Sequence, residues 1–375
     1  MVISDFKNLI YFLSGFNLFS LSTFSFCVLI LILCAFIILY LNIRNRQEAK
    51  SKRWKFISDN LIRSAIFFEE EENIDSGKTI LKTQHIPLPG RFKKLLPDSH
   101  FRKLLTKELL TAKQNMSGTA ATNLRILYKQ LGLDANALKM INSRSWYLKA
   151  SGIQQLEIMD LSEYKDKIAK YTNNKRGLVR VEAQNAIVKF NGFKGLNFLD
   201  HATYQISEWQ QIKLLEELSR LPVENFPGID TWLSSKNDSV VTFALKLARE
   251  YNRFELYDKV FICLKHLNPK VREQAISTLK ELQTENTANH LVEIYNDETH
   301  RNKIAIIKAL EDVGTNLEIT FILGLLESEN NQVKIAAARA LASIGSEGLL
   351  QLQSYEKAND YPYKNIIDQI KAEKV

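Results

Sequence analysis

Histidines and paired carboxylates are the side chains of this sequence that could bind a metal or carry acid–base chemistry, and their spacing favours neither role. The histidines are scattered, at His85, His100, His201, His266, His290 and His300. A zinc site needs three or four converging ligands, so we interpret these histidines as surface or helix-end residues. The carboxylate pairs Glu216–Glu217 and Glu311–Asp312 are expected to face solvent and to keep the surface hydrated.

Sequence motifs of the common catalytic classes do not occur in this chain. It has no Gly-rich phosphate loop, no G-x-S-x-G, no H-E-x-x-H and no C-x-x-C. Cys27 and Cys34 share one apolar run and Cys263 stands alone, so no disulfide framework is available and a reducing compartment fits. We therefore predict no catalytic residue, no metal ligand and no cofactor, and we expect a protein that is not an enzyme.

An uncharged apolar run, LFSLSTFSFCVLILILCAFIILYL, extends from Leu18 to Leu41. As a helix it would be about 36 Å long, enough to cross a hydrocarbon core of about 30 Å. A cleaved signal peptide fits less well, because the run is long and no small-residue cleavage site follows it; a buried core helix is the other alternative. We predict a transmembrane helix over residues 18–43 and a short extracytoplasmic N-terminus over 1–17.

The distribution of charge predicts the orientation of this helix. A cationic cluster follows it directly: Arg44, Arg46, Lys50, Lys52, Arg53 and Lys55. By the positive-inside rule the C-terminal part lies in the cytoplasm. Of the net charge of +8, residues 1–55 carry +5 (seven Lys or Arg, two Asp or Glu), which leaves +3 for the rest. The cluster is interpreted as a topology signal, with contact to anionic lipid near Arg44, Arg46, Lys50, Lys52 and Arg53 as the alternative.

Residues 44–115 are interpreted as a basic juxtamembrane segment and connector. The acidic run FFEEEEN and the breaker-rich HIPLPGR favour a solvated connector with local helix. Farther on, GRFKKLLPDSHFRKLLTKELL has apolar residues at helical spacing with cations between them. Such a helix can lie on a membrane; the favoured interpretation is the first packed helix of the following domain.

A period of 31 or 30 residues dominates the C-terminal half. Its reference positions are Val179, Gln210, Val240, Val271, Asn302 and Val333, and positions 4, 8 and 11 residues later are apolar. This spacing marks one face of a helix. Eleven residues before each reference another apolar residue occurs, which indicates an earlier helix. Asn237, Asn268, Thr299 and Asn330 are suited to cap the second helix, and Gly314 and Gly345 to end it in the left-handed conformation.

The segments NPKVREQAISTLKEL, HRNKIAIIKALEDVG and NQVKIAAARALASIG resemble the HEAT-repeat family, including its short bacterial type. The resemblance implies an all-α protein, a right-handed α–α superhelix (HEAT-like solenoid), here preceded by one transmembrane helix. It also implies binding or scaffolding on the surface lined by the second helices. The predicted domains are an N-terminal helical cap (116–160), HEAT-like repeats (161–345) and a C-terminal cap (346–375).

Nucleic acid and lyase chemistry are the alternatives that HEAT-like relatives suggest. Some HEAT-like solenoids resemble DNA-binding glycosylases with a basic inner face, and cations recur here near one offset, at Arg180, Arg272, Lys303 and Lys334. We interpret these cations as bonding within or between repeats, so nucleic acid is an unlikely partner. A lyase-type HEAT-like protein is the remaining alternative.

The tryptophans are the other residues with two interpretations. Trp146, Trp209 and Trp232 are expected to fill gaps between early repeats, and an exposed one would mark a binding site. Trp54 is expected at the membrane interface.

The function predicted from the whole sequence is a membrane-anchored adaptor at the cytoplasmic face of the cell membrane. Its partners are expected to be membrane-associated proteins, such as an envelope enzyme or transporter. The binding residues of the solenoid stay unassigned.

Overall fold

A computed structural model describes residues 18–68, 85–222 and 226–373. Within these ranges every regular element is a helix and no strand occurs, which confirms the all-α prediction. The predicted N-terminus, residues 1–17, and the acidic run Glu69–Glu72 lie outside the described residues. The chain forms two compact units that divide between Asn136 and Ala137. This division falls inside the predicted cap of 116–160, and the limits of the predicted domains stay predictions.

The first helix, α1, is Leu18–Ile66, 49 residues long. It contains neither proline nor glycine, so nothing in its sequence interrupts the backbone hydrogen bonds over about 74 Å. From Ser22 to Arg53 every side chain is exposed. By length and composition α1 is long and apolar enough to cross a membrane, a test that a signal sequence near an N-terminus also passes. The helix does not end near residue 43, where the transmembrane helix was predicted to end.

The first unit is a small helical bundle around the C-terminal part of α1. Its other helices are α2 (Gly90–Leu95), α3 (Ser99–Gln114) and α4 (Gly118–Gln130), and α5 (Leu133–Ile141) crosses into the second unit. Trp54 of α1 packs edge-on against Phe101 with ring centroids 5.6 Å apart, and Phe101 packs against Phe92 at 5.3 Å. Leucines of α1, α3 and α4 complete this core: Leu61, Leu105, Leu109, Leu124 and Leu127.

This bundle corrects two interpretations of the sequence. The solvated connector over 44–115 is wrong at both of its ends, because α1 continues through residues 44–66 and packs against α3. Trp54 lies in the core of the bundle rather than at a membrane interface. The apolar stripe of α3 is buried, as expected of a packed helix, although α3 packs in the first unit.

The second unit begins with α6 (Trp146–Ile158) and continues with six helix pairs, here called repeats 1 to 6. The first partners are short: α7 (Lys165–Ala169), a 3-10 helix (Gly192–His201), α10 (Ile229–Trp232), α12 (Tyr257–Ile262), α14 (Thr287–Ile294) and α16 (Ile319–Leu325). The second partners are longer: α8 (Gly177–Asn191), α9 (Glu208–Leu218), α11 (Asp238–Glu250), α13 (Pro269–Glu281), α15 (His300–Val313) and α17 (Asn331–Ser343). Two further helices, α18 (Gly345–Ser354) and α19 (Tyr363–Glu373), follow repeat 6.

Burial of the periodic positions confirms the predicted stripe. The reference residue of each repeat is buried, and so are the residues four and eight positions later and eleven positions earlier. Gln210 and Asn302 are buried at the reference position although they are polar. Gln210 Nε2 donates to Asn185 Oδ1 at 2.9 Å, and Asn302 Nδ2 donates to the Pro269 carbonyl at 3.1 Å, so both amides tie neighbouring repeats together.

The helix caps agree with the sequence except at one position. Asn237, Asn268, Thr299 and Asn330 each accept a backbone N–H of the second helix. Ser207 does the same in repeat 2 and was missed. Gly345 has the left-handed φ of 56°, whereas Gly314 is extended at φ −66° and ψ 146°, so its predicted left-handed stop is wrong. A Cβ at Gly314 would lie 2.7 Å from Ile344 Cδ1, so close packing explains this glycine.

Replacing Asn268 with alanine is expected to cost about 1 kcal/mol of unfolding free energy, because the Lys270 amide loses its acceptor. Asn268 Nδ2 also donates to Asp238 Oδ2 at 2.6 Å. Asn268→Asp keeps a cap but places two carboxylates together, so it is also expected to destabilise at neutral pH and to recover in acid. Denaturant titration of both variants checks this; equal costs for Asn268→Asp at neutral and acidic pH would contradict it.

Candidate functional site

A groove runs across the second helices of repeats 2 to 5 in the second unit. It is ≈ 1110 Å³ in volume, and its walls come from α9, α11 and α13, with Arg301 of α15 at one end. The fold places these residues together because the stripe that packs into the core leaves the opposite face of each second helix exposed. The groove is therefore a surface that only the stacked repeats create.

An exposed aromatic residue stands at the repeat 2 end of this groove. Trp209 is 66% exposed, and Ile212, one turn later on α9, is also mostly exposed. The ammonium group of Lys213 lies 5.1 Å from the centre of the Trp209 ring. Exposed tryptophan beside apolar and cationic groups is the composition of a protein-binding hot spot.

The floor of the groove is polar and held by hydrogen bonds between repeats. Gln211 is buried, and its Nε2 donates to the carbonyls of Ile206 and Ser239, each at 3.2 Å. Its Oε1 accepts from Lys246 Nζ at 2.8 Å. Partial burial lowers the pKa of the Lys246 ammonium group. These bonds fix the spacing between α9 and α11, so the groove is formed before any partner arrives.

The charges that line the groove are balanced. Acidic and basic side chains occur in equal number: Glu208, Asp238 and Glu273 against Lys246, Lys270 and Arg301. Arg301 Nε lies 2.8 Å from a carboxylate oxygen of Glu273. A nucleic-acid groove needs a continuous excess of cations, which this lining does not have.

The recurring cations are used inside the solenoid, as the sequence interpretation expected. Arg272 forms two bonds to Glu298 of the next repeat, at 2.6 and 3.0 Å. The Arg180 guanidinium lies over the Tyr204 ring at 4.6 Å, and Lys303 Nζ lies 5.3 Å from the centre of the Tyr295 ring. The Arg272 and Arg180 contacts join adjacent repeats, and the Lys303 contact lies within repeat 5. All three cations are therefore engaged within the solenoid, which makes them unsuited to a nucleic-acid surface.

The three tryptophans of the second unit differ in their environments. Trp232 is buried and its Nε1 donates to Asp200 Oδ1 at 2.7 Å, as expected of a residue that fills a gap. The same interpretation is wrong for Trp209 and for Trp146, which is 45% exposed on α6. A second groove of ≈ 740 Å³ lies beside Trp232, lined by the turns around Asp200 and Asn237.

Acid–base chemistry has one candidate pair that the sequence did not reveal. Burial and the nearby carboxylate of Glu157 raise the pKa of Glu182 to about 7, and burial also raises the pKa of Glu157. These residues are on different helices, so no spacing rule connects them. Lys189 Nζ lies 3.6 Å from Glu157, and neither glutamate lines either of the two grooves. The pair is interpreted as part of the packing between α6 and α8.

The carboxylates singled out from the sequence lie on the surface or at its edge. Glu216 is exposed and pairs with Lys213 at 2.8 Å and with Arg220 at 2.9 Å, while Asp312 lies 2.8 Å from Lys280. Within the described residues no three histidine, cysteine or acidic side chains are grouped to hold a metal ion. Cys263 is buried, which raises the pKa of its thiol to about 11.

Part of the second unit is similar to a known repeat family. Residues 257–342 match the family described as HEAT repeats. No curated protein matches the sequence. Solved structures that match include one described as "Structural Basis of Tubulin Recruitment and Assembly by Microtubule Polymerases with Tumor Overexpressed Gene (TOG) Domain Arrays". It has 15% identity, covers 74% of this chain and 73% of that chain, and gives a TM-score of 0.23. The matched segment, from Tyr257 to Ala342, covers repeats 4 to 6.

Proposed function

We propose that this protein is a single-pass membrane adaptor whose solenoid binds a protein partner at the cytoplasmic face of the membrane. Its N-terminus lies outside, and its partner is a membrane-associated protein such as an envelope enzyme or transporter. The observation that carries the adaptor role is the groove across repeats 2 to 5, with Trp209 exposed at one end. HEAT repeats usually serve as interaction scaffolds, which fits this role.

The anchor is supported by the composition and continuity of α1. Its apolar side chains from Phe24 to Ile43 are exposed, with no protein surface covering them in the described residues. Exposed apolar area of this extent needs lipid or another partner. Removal of a signal sequence near residue 43 would cut the helix about two turns before Lys50 and three turns before Trp54, which packs in the first unit. A retained anchor keeps this helix whole.

Tethering to the membrane would allow a groove of modest affinity to hold its partner. A solenoid held at the bilayer meets other membrane proteins at a raised effective concentration, so modest intrinsic affinity gives stable association. The balanced charges of the groove also suit a protein segment better than a polyanion. Anionic lipid near Arg44, Arg46, Lys50, Lys52 and Arg53 would add to the attachment.

The proposal is tested by crosslinking the full chain in its native membrane, with mild-detergent purification and identification of the proteins that accompany it. The control is a chain that lacks residues 1–45, which keeps Trp54 and Leu61 and so retains the core of the first unit. We expect a membrane enzyme or transporter with the full chain alone. Recovery of the same soluble proteins, or of nucleic acid, with both chains would contradict the proposal.

Trp209→Ala in the full chain is expected to reduce capture of that partner at least tenfold, since a tryptophan that acts as a binding hot spot contributes about 2 kcal/mol or more. Trp146→Ala removes a comparably exposed tryptophan outside the groove and is the matched control. Quantitative mass spectrometry of the crosslinked material gives the ratio. Equal losses in the two variants would show that the groove is not the binding surface.

A further inference from the structure

Two contacts place the start of α3 beside the juxtamembrane part of α1. Lys50 Nζ lies 3.4 Å from Asp98 Oδ2, and one turn later Trp54 packs against Phe101. Both contacts advance in the same chain direction, so α1 and α3 run parallel. The residues that join α2 to α3 therefore lie level with Lys50, at the side of the first unit that faces the apolar part of α1.

The distance of this junction from the apolar segment follows from helix geometry. Lys50 is seven residues beyond Ile43, which is about 10 Å along the axis. The headgroup layer on each side of a hydrocarbon core is about 5 to 7 Å thick. The junction is then within a few ångströms of the headgroups, inside the Debye length of about 8 Å at physiological salt.

The composition of this junction matches a membrane surface. The juxtamembrane tip, which we define as residues 94–103, has Lys94, Arg102 and Lys103 against the single acid Asp98. Lys94 and Lys103 are exposed. Asp98 is already engaged, because it accepts the backbone N–H groups of His100 and Phe101 and faces Lys50.

An apolar element lies among these cations. Leu95 and Leu96 are only half-buried and Pro97 is exposed, although the neighbouring Phe92 and Phe101 are fully covered. Exposed apolar residues flanked by lysine are the composition of segments that rest in the interface of a bilayer. The sequence alone does not show this surface, because Lys50 and Asp98 are 48 positions apart and meet only through the packing of α1 on α3.

We propose that the juxtamembrane tip, together with the exposed cations of α1, forms a docking surface for the anionic phospholipid headgroups of the bilayer that α1 crosses. This inference rests on the proposed anchor. The cations bind the headgroup phosphates and carboxylates, and the half-buried leucines face the headgroup boundary. The first unit is then held against the membrane by two elements, α1 and the tip.

The test uses the full chain reconstituted in vesicles of phosphatidylcholine that contain a photoactivatable phosphatidylserine or a photoactivatable phosphatidylcholine. Mass spectrometry locates the crosslinked residues. We expect crosslinks on residues 94–103 from phosphatidylserine, and about a tenfold loss of them in the variant Lys94→Glu/Lys103→Glu. The control variant Lys170→Glu/Lys175→Glu reverses two exposed lysines of the second unit and is expected to keep the crosslinks.

Alkaline extraction of the same vesicles separates the two ways of failing. If the full chain is extracted, the anchor is wrong and this inference is wrong with it. If the chain stays in the membrane but both lipids label residues 94–103 equally, or the double variant keeps its crosslinks, the docking surface alone is overturned. In that case the cations serve only to orient α1.

Discussion

Replacing Glu298 with alanine is expected to destabilise the solenoid by about 3 kcal/mol, a large cost for one side chain between two repeats. Glu298 is buried, with a side chain only 4% exposed, and its partner Arg272 is 16% exposed. Besides Arg272, it accepts from Asn302 Nδ2 at 2.9 Å and from the backbone N–H of Thr299 at 3.2 Å. The substitution removes four hydrogen bonds, two from Arg272 and one each from Asn302 and Thr299, in a site closed to most water.

The pKa of Glu298 adds a pH dependence to this prediction. Burial alone would raise the pKa of its carboxyl group, but the bonds from Arg272, Asn302 and Thr299 outweigh burial and hold it below its usual range. A lowered folded-state pKa contributes stability above the unfolded-state pKa, and that contribution is lost as the pH falls through the folded value. The difference between the native chain and Glu298→Ala should therefore be full at neutral pH and shrink below about pH 4.

Denaturant titrations at neutral and acidic pH measure this difference. The matched control is Glu273→Ala, which removes the partner of Arg301 in a pair that also joins repeats 4 and 5 but whose side chains are 29% and 74% exposed. An exposed pair contributes at most about 1 kcal/mol. A similar loss of unfolding free energy in Glu298→Ala and Glu273→Ala would contradict the prediction, because it would show that burial does not increase the contribution of the Arg272–Glu298 pair.

Trp232→Ala is expected to lower the free energy of unfolding by about 3 to 5 kcal/mol, because it removes a fully packed indole from the junction of repeats 2 and 3. It also removes the donor to Asp200, which is exposed and can be hydrated instead. Most of the cost is therefore the cavity. Trp232→Phe refills much of the space without the N–H and should cost about half as much.

The location of the damage should be as informative as its size. In a solenoid each repeat contacts mainly its neighbours, so stability is close to a sum of local terms. Hydrogen exchange in Trp232→Ala should lose protection in the 3-10 helix of repeat 2, α10 and α11, while α15 and α17 keep theirs. A uniform loss across the second unit would show that it unfolds as one cooperative body.

The periodic part of the fold follows from the sequence because its contacts are local and repeated. The stripe, the helix pairs and four caps were predictable, since each requires only the residue types within one repeat. Gln210 and Asn302 are buried at the reference position although they are polar, because the side-chain amide of each donates to the preceding repeat. The sequence does not show these bonds. Gly314 was misread because close packing, which needs the neighbouring Ile344, favours glycine as much as a left-handed turn does.

The first unit and the groove were not predictable, because their contacts join distant residues. The segment between Trp54 and Phe101 is rich in charged residues, proline and glycine. Its composition therefore predicted a connector, although residues on either side of it pack into one core. Exposure of Trp209 depends on which face of α9 the stacking covers. Its Trp-x-x-Ile spacing is equally compatible with a buried stripe, and only the packed repeats distinguish the two.

The unbroken course of α1 fixes the rotation of the first unit about the axis of the apolar segment, Phe24 to Ile43. No proline or glycine separates Ile43 from Trp54, so each residue inserted between them turns the first unit by about 100° and moves it about 1.5 Å farther from the apolar segment of α1. One added residue would rotate the first unit by about 100° from its original orientation. Seven added residues would bring it back almost to that orientation, about 10 Å farther from the apolar segment. The continuous helix thus fixes both the rotation of the first unit about the axis of α1 and its distance from the apolar segment. A flexible linker of the same length would fix neither.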